Sequence, residues 1–394
     1  MSDLLLTGIG HLTTNTGDAI SSATVAISDG RITYAGPESD GPEQGVGDRI
    51  ECDGRAVIPG FVDAHTHLVF AGDRSEEFAR RLAGESYSDI AAAGGGILST
   101  VEATRSATEE ALFDLAAKRV WTMIRGGTTT VEIKSGYGLD RETELRLLRV
   151  ARRIGDELPV TVRTTFLGAH AVPAEYSSDR DGYVELVIKE ILPAAADLAD
   201  FCDVFVEDGV FSVDEARAIF EAAEALGLSA RVHAEQLSHL GGAALAAEIG
   251  AFSADHLDHV TPGEAALLAD AGVTCVLVPG AAYTLGTEQP SGRMLWDAGC
   301  TVALATDCNP GTSYIETMGL VISLGVVQMG LTVEEAIWAA TRGGALSLGL
   351  EDRGQIKEGS PADLVILDAP TPAHIPYRPA SDLLSETIKD GHIL

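Results

Sequence analysis

A chain of 394 residues is too long for one small core and suits a large domain with a modest second unit. Its 45% hydrophobic and 22% charged residues are ordinary for a globular protein, but 27 Lys and Arg against 59 Asp and Glu leave a net charge of −32. Such a field repels nucleic acid and anionic membranes and argues against both as partners; no apolar run approaches the roughly 20 residues that span a bilayer.

The acids are spread through well-patterned segments rather than gathered in a tail. We read this as adaptation to high intracellular salt, where screening over about 3 Å at molar ionic strength makes the self-repulsion tolerable. Met1-Ser2-Asp3 is acidic, and no signal-peptide core follows it. The five cysteines (Cys52, Cys202, Cys275, Cys300 and Cys308) are odd in number, scattered and without a CxxC. That argues against a disulfide framework and for a reducing cytoplasm.

In chain order, residues 24–28 and 31–35 alternate around Asp29-Gly30, a hairpin signal. Residues 38–47, rich in Gly, Pro and acids, predict an exposed loop. Buried-type apolar runs follow at 56–67, 128–134, 160–170, 201–207, 230–235, 251–256, 274–279 and 301–307, separated by helical patterns such as 215–225 and 264–271. Eight such units predict a (β/α)8 TIM barrel. An open, doubly wound sheet is the competing architecture, but Gly94-Gly95-Gly96 follows no strand, and there is no GxGxxG or P-loop. At the far end, Gly359-Ser-Pro-Ala-Asp-Leu-Val reads as a turn and a strand, and residues 388–393 close around Asp390-Gly391. Two terminal β-rich pieces predict a small β-sandwich built from both ends, 1–58 plus 358–394, around a barrel of 59–357.

Barrel enzymes carry their chemistry at the C-terminal ends of the strands. Here those ends hold His65 and His67, Lys134, His170, Glu207, His233 with Glu235, His256, and Asp307. His65 and His67 are two residues apart, so on an extended strand both face one side and can share a cation. His233 and Asp307 complete a set of three imidazoles and one carboxylate, suited to a single divalent ion such as Zn2+ or iron with a position left for water. Asp63 and Glu235 are nearby candidates to orient the imidazoles. Asp307 could take a proton from the activated water, and His256 could hold that water or polarise a carbonyl.

Pro59-Gly-Phe-Val-Asp-Ala-His-Thr-His resembles the opening motif of the amidohydrolase superfamily, and Gly359-Ser-Pro-Ala-Asp-Leu-Val its return into the terminal β-domain. Over nearly its full length the chain resembles the imidazolonepropionase family. The similarity rests on His67-Leu-Val-Phe-Ala-Gly-Asp-Arg, Gly94-Gly-Gly-Ile-Leu-Ser-Thr, Lys134-Ser-Gly-Tyr-Gly-Leu, Phe166-Leu-Gly-Ala-His-Ala-Val-Pro, Ser253-Ala-Asp-His-Leu and Ala305-Thr-Asp-Cys-Asn-Pro-Gly-Thr-Ser. The resemblance implies hydrolysis of 4-imidazolone-5-propanoate to N-formimidoyl-L-glutamate, metal ligands His65, His67, His233 and Asp307, and a homodimer. It also implies substrate contacts from Arg74, Tyr137, His170, Gln236, Asn309, Gly311 and Thr312. A propanoate tail needs a cation, and Arg74 offers paired donors to it. Gln236 stands where some relatives carry Glu; a neutral amide can hydrogen-bond a ring but cannot act as a base, so proton transfer should lean on His256 and Asp307. The fourth strand ends in Glu207, not in the lysine that bridges two metals in binuclear amidohydrolases, which predicts one ion. Lys134, on the second strand, reads as shaping the Tyr137 loop. The competing readings are a nucleobase deaminase, which would have no use for Arg74, and a non-enzymatic binding module, which would be expected to have lost a ligand.

Overall fold

The protein is described here from a computed structural model over residues 4–42, 47–85 and 95–394. Gly94 and part of the predicted loop 38–47 lie outside the described residues. Alternating apolar residues form β1 (Leu4–Leu12), β2 (Ile20–Ser28) and β3 (Arg31–Pro37), followed by β4 (Asp48–Glu51) and β5 (Ala56–Pro59). The β2–β3 turn is the expected Asp29-Gly30, with φ of 50° and 75°. Both values are positive, as a tight hairpin whose twist matches its strands requires.

The chain then enters a second sheet of eight parallel strands: β6 (Phe61–Asp63), β7 (Thr128–Lys134), β8 (Thr161–Ala169), β9 (Phe201–Val206), β10 (Ser229–Ala234), β11 (Ser253–His256), β12 (Thr274–Leu277) and β13 (Val302–Leu304). They pair in sequence order. Just beyond β6 and β13 the ring closes: Asp307 N donates to His65 O at 2.9 Å, and His67 N to Cys308 O at 3.0 Å. This is the (β/α)8 barrel that the strand count predicts. Helices follow the strands, and three of them (Val213–Ala225, Pro262–Ala271 and Val333–Trp338) begin with reciprocal capping boxes, Ser212 with Glu215, Thr261 with Glu264 and Thr332 with Glu335. Among the described residues no helix is long and apolar enough to cross a membrane.

Three last strands, β14 (Leu364–Leu367), β15 (Leu384–Lys389) and β16 (His392–Ile393), return to the first sheet, where β14 pairs antiparallel with β5. Leu6, Ile9 and Leu12 from one end of the chain pack with Leu364, Ile366 and Ile388 from the other in a core of their own.

The run 56–67, expected as one strand, is therefore two. At Gly60 the backbone hands over between sheets: Gly60 N donates to Asp363 O and Phe61 N to Gly127 O, both at 2.9 Å. A Cβ at Gly60 would lie 2.4 Å from the Thr129 side chain, so the close crossing needs glycine.

Barrel interiors are usually layers of branched apolar side chains. Here Glu132, Lys134, Asp203, Arg231 and Asp255, carried on β7, β9, β10 and β11, are all buried and joined by ion pairs. Burying charge is costly unless every member is paired, and this layer lies against the candidate site.

Candidate metal-dependent active site

His65 and His67 leave β6 in an extended segment, His233 ends near the top of β10, and Asp307 follows β13. Their ligand atoms converge. The Nε2 atoms of His65 and His67 are 3.3 Å apart, and those of His67 and His233 3.4 Å. Asp307 Oδ1 lies 3.5 Å from Nε2 of both His65 and His67. A tetrahedral first-row ion with bonds of roughly 2.0–2.1 Å has ligand–ligand edges of about 3.3–3.4 Å. These four separations match such edges, with the three imidazole nitrogens in one compact group and Asp307 Oδ1 against two of them.

The protonation pattern fits the same group. His65 Nδ1 faces Asp255 Oδ2 at 2.6 Å, and His233 Nδ1 faces Asp203 Oδ2 at 2.9 Å. A carboxylate at Nδ1 keeps the proton there and turns the Nε2 lone pair inward. Burial, aided by the Lys134 charge, lowers His65 well below the usual histidine range, and burial with the neighbouring imidazoles does the same to His67. Burial pushes Asp307 well above the carboxylate range, and a divalent ion held among the imidazoles would favour its anion. Two imidazoles with Nε2 turned inward, the neighbouring Nε2 of His67 and a buried carboxyl are a donor set that suits a divalent ion.

Around this point lie the other candidates. His256 is buried beside it, with a ring nitrogen within 4.8 Å of ligand atoms of both His65 and Asp307, and its Nδ1 has no hydrogen-bond partner among the described residues. Both His256 (φ 78°) and Asp307 (φ 52°) take the left-handed backbone. That conformation costs a non-glycine residue on the order of 1–3 kcal/mol and clusters at sites where orientation matters. His170 stacks on His67 at 5.0 Å and 19°, and its Nδ1 is 3.0 Å from Gly136 O. Burial, with His233 facing it, pushes His170 down to about 3, so the neutral ring donates from Nδ1 and presents Nε2 as an acceptor. Tyr137 is buried, its ring 5.9 Å from His67 and 5.4 Å from His170. Burial and nearby Asp307 raise its phenol, which stays a neutral donor.

Arg74 lies against the loop after β13. Its Nε and Nη2 donate to the two oxygens of Glu77, the first at 3.0 Å, while a Cβ built on Gly311 would fall 2.4 Å from Nη1. Asn309 is largely spent within its own loop: Oδ1 accepts from Gly311 N and Thr312 N, each at 2.8 Å, and Nδ2 donates to Asp307 O at 2.7 Å. It shapes the loop that carries Gly311 and Thr312. Gln236, half-buried just past β10, makes no side-chain hydrogen bond among the described residues.

Comparison with known proteins gives this arrangement its family. The amidohydrolase family profile matches residues 56–394. An imidazolonepropionase from Symbiobacterium thermophilum is 47% identical, with 100% of this chain and 97% of that protein covered. Another, from Haloarcula marismortui, is 48% identical over 94% of this chain and 89% of its own. The chain belongs to the imidazolonepropionase family of amidohydrolases. Among solved structures, an adenosine deaminase from Xanthomonas campestris with bound zinc superposes with a TM-score of 0.74 at 20% identity, covering 100% of this chain and 92% of that one. At that identity the likeness is one of fold.

Within this family member three sequence-based expectations need correcting. Asp63 does not orient the imidazoles; it accepts from Thr306 N at 2.9 Å and Thr306 Oγ1 at 2.6 Å, tying β6 to the segment after β13. Glu235 accepts from the backbone N–H groups of Leu240, Gly241 and Ala243, where the next helix begins. The orienting acids are Asp203 and Asp255, which the sequence reading missed. Their signal in the sequence was slight: an acid inside a buried barrel strand, in FCDVFV for Asp203 and in SADH for Asp255. Lys134, expected to shape the Tyr137 loop, is instead wholly buried, with Nζ 2.8 Å from Asp203 and 2.9 Å from Glu132. The Tyr137 loop is held by Glu144, whose carboxylate accepts from the N–H groups of Gly136, Gly138 and Leu139. Glu77, the partner of Arg74, was also missed, although the i, i+3 pairing was readable.

Proposed function

We propose that this protein hydrolyses 4-imidazolone-5-propanoate to N-formimidoyl-L-glutamate, using one divalent ion held by His65, His67, His233 and Asp307. What carries the reading is 47% identity to an imidazolonepropionase across the whole chain. When bound, Zn2+ or iron supplies Lewis acidity that makes water a nucleophile near neutral pH.

The chain's own residues do the rest. Arg74 has its Nε edge occupied by Glu77, which leaves the Nη1 side to take the propanoate carboxylate as a charge-assisted pair. Gly311 keeps that side clear, and Asn309 and Thr312 hold the loop around it. His170, neutral and with Nε2 an acceptor, and the Tyr137 phenol, a donor, bracket the substrate ring. Gln236 adds a hydrogen bond to the ring but no basicity. Asp307 accepts the proton from the attacking water and returns it to the ring nitrogen as the cyclic amide opens; His256, kept neutral by burial, polarises the carbonyl. All five cysteines are free and buried, in keeping with a cytoplasmic enzyme, and family resemblance adds the expectation of a homodimer.

The test is turnover of freshly generated 4-imidazolone-5-propanoate, followed spectroscopically, with metal content measured on the same sample. Absent turnover by metal-loaded protein, with activity on a nucleobase instead, overturns the proposal.

A further inference from the structure

Resting on that metal-site reading, we propose that Lys134 is a positioning residue of the metal centre, clamping from inside the barrel the two aspartates that aim His65 and His233. The geometry is a relay through shared atoms. Asp203 Oδ2 accepts from His233 Nδ1 at 2.9 Å and from Lys134 Nζ at 2.8 Å. Asp255 Oδ2 meets His65 Nδ1 at 2.6 Å, Arg231 Nη2 at 3.2 Å and Lys134 Nζ at 3.4 Å. The third donor direction of the ammonium goes to Glu132 Oε1 at 2.9 Å. One side chain thus touches both acids that set the imidazole tautomers, and it touches no candidate ligand itself.

Charge balance explains why a cation stands there. Glu132, Asp203 and Asp255 are three buried carboxylates, and besides His65 and His233 the side chains that pair with them among the described residues are Lys134 and Arg231. Arg231 is also tied to the backbone, at Ser347 O (2.7 Å) and Ala64 O (2.9 Å), which fixes it on the Asp255 side. Among the described residues, Lys134 is the lysine or arginine in direct ion-pair contact with Asp203. By its charge alone, a lysine near a metal centre repels a cation; its contribution here is to hold two mutually repelling carboxylates in place behind the histidines. Lys134 Nζ is wholly buried, so the clamp does not compete with water.

Two measurements test this. The chain has five lysines, Lys118, Lys134, Lys189, Lys357 and Lys389, so 15N-lysine labelling gives a countable set of Nζ signals. Titrating Zn2+ into metal-free wild-type protein should shift the Lys134 signal and leave that of Lys389, buried in the terminal sheet, in place. In parallel, Lys134→Met should weaken Zn2+ affinity, read by chelator competition, by about 10–100-fold, the usual effect of removing a partner behind the ligands. In the cobalt-loaded variant, the visible bands should be altered from those of wild type. If Lys134→Met does not fold, the wild-type titration decides alone. A Lys134 signal unmoved by zinc that binds, or a folded variant holding zinc within threefold of wild type, overturns the inference by itself. A wild-type protein that takes up no zinc overturns the metal-site reading and this inference with it.

Discussion

Replacing Gly311 with alanine tests how the substrate carboxylate is held. The new Cβ would lie 2.4 Å from Arg74 Nη1 and 3.0 Å from Cζ, against an ordinary contact of at least 3.4 Å, so the guanidinium must retreat by about 1 Å. A free arginine tip would swing aside at little cost. This one is mostly buried and held by Glu77 at both Nε and Nη2, and Glu77 is itself fixed by Gly96 N at 2.8 Å. The retreat therefore breaks or bends the intended pair with the propanoate. A hydrogen bond to a charged group contributes about 1.5–3 kcal/mol, so KM should rise by about 10–100-fold with kcat changed only a few-fold. Arg74→Ala should raise KM at least as far. The assay is initial rate against substrate concentration, with a melting curve to show that the loop change has not unfolded the barrel. A Gly311→Ala enzyme with KM within twofold of wild type refutes the carboxylate-clamp argument.

Asp307→Ala should abolish measurable turnover while three imidazoles still retain some metal; near-normal rates would show that the proton acceptor is elsewhere. Asp258 is pushed from 3.8 up to about 7 by burial, reinforced by Glu207. A carboxyl raised in the folded state favours folding only while protonated, so its contribution fades as pH climbs from about 4 to 7. Asp258→Asn should accordingly raise the melting temperature more at pH 8 than at pH 5, and an equal gain at both would refute the assignment. With a net charge of −32, melting temperature should climb with KCl from salt-free buffer towards molar concentrations; full activity and a cooperative, salt-independent melt in salt-free buffer would remove the high-salt reading.

What the sequence made legible followed from short-range rules. Strand ends could be counted because parallel buried strands read as apolar runs, and the ends alone put His65, His67, His233 and Asp307 in one region. The break at Gly60 was hidden because apolar residues flank it on both sides, and the backbone bonds of Gly60 and Phe61 to different sheets reveal it, with Thr129 close enough to require glycine. Asp203, Asp255 and Lys134 were hidden for a different reason. Asp203 interrupts an otherwise apolar strand, while Lys134 and Asp255 sit on strands that carry other polar residues as well; what each meets is set by barrel closure, which brings β7, β9 and β11 together across the interior. The sequence reading gives Lys134 to the loop next to it; beside Glu132 on its own strand, its two aspartate partners are 69 and 121 residues away. Local reading favours local partners, and a closed barrel interior is where that rule fails.

The number of ions can be argued from Glu207. A second cation beside the first needs an anionic bridging ligand near the end of the fourth barrel strand. Glu207 stands just past β9 and is the acid closest to that role, but its carboxylate is turned to the following loop. One oxygen accepts from Asp208 N at 2.9 Å and from Ser238 Oγ; the other accepts from Leu237 N at 2.7 Å and Ser238 N at 3.3 Å. Recruiting it to a metal would forfeit these four bonds and release the 237–238 segment, at about 1 kcal/mol or more for each bond lost. Metal analysis of reconstituted protein should therefore find one equivalent per chain. Glu207→Gln, which keeps an acceptor and removes the charge, should leave that first affinity nearly unchanged. A second equivalent bound as tightly as the first, and lost in Glu207→Gln, would mean that the carboxylate swings inward and that the site is binuclear after all.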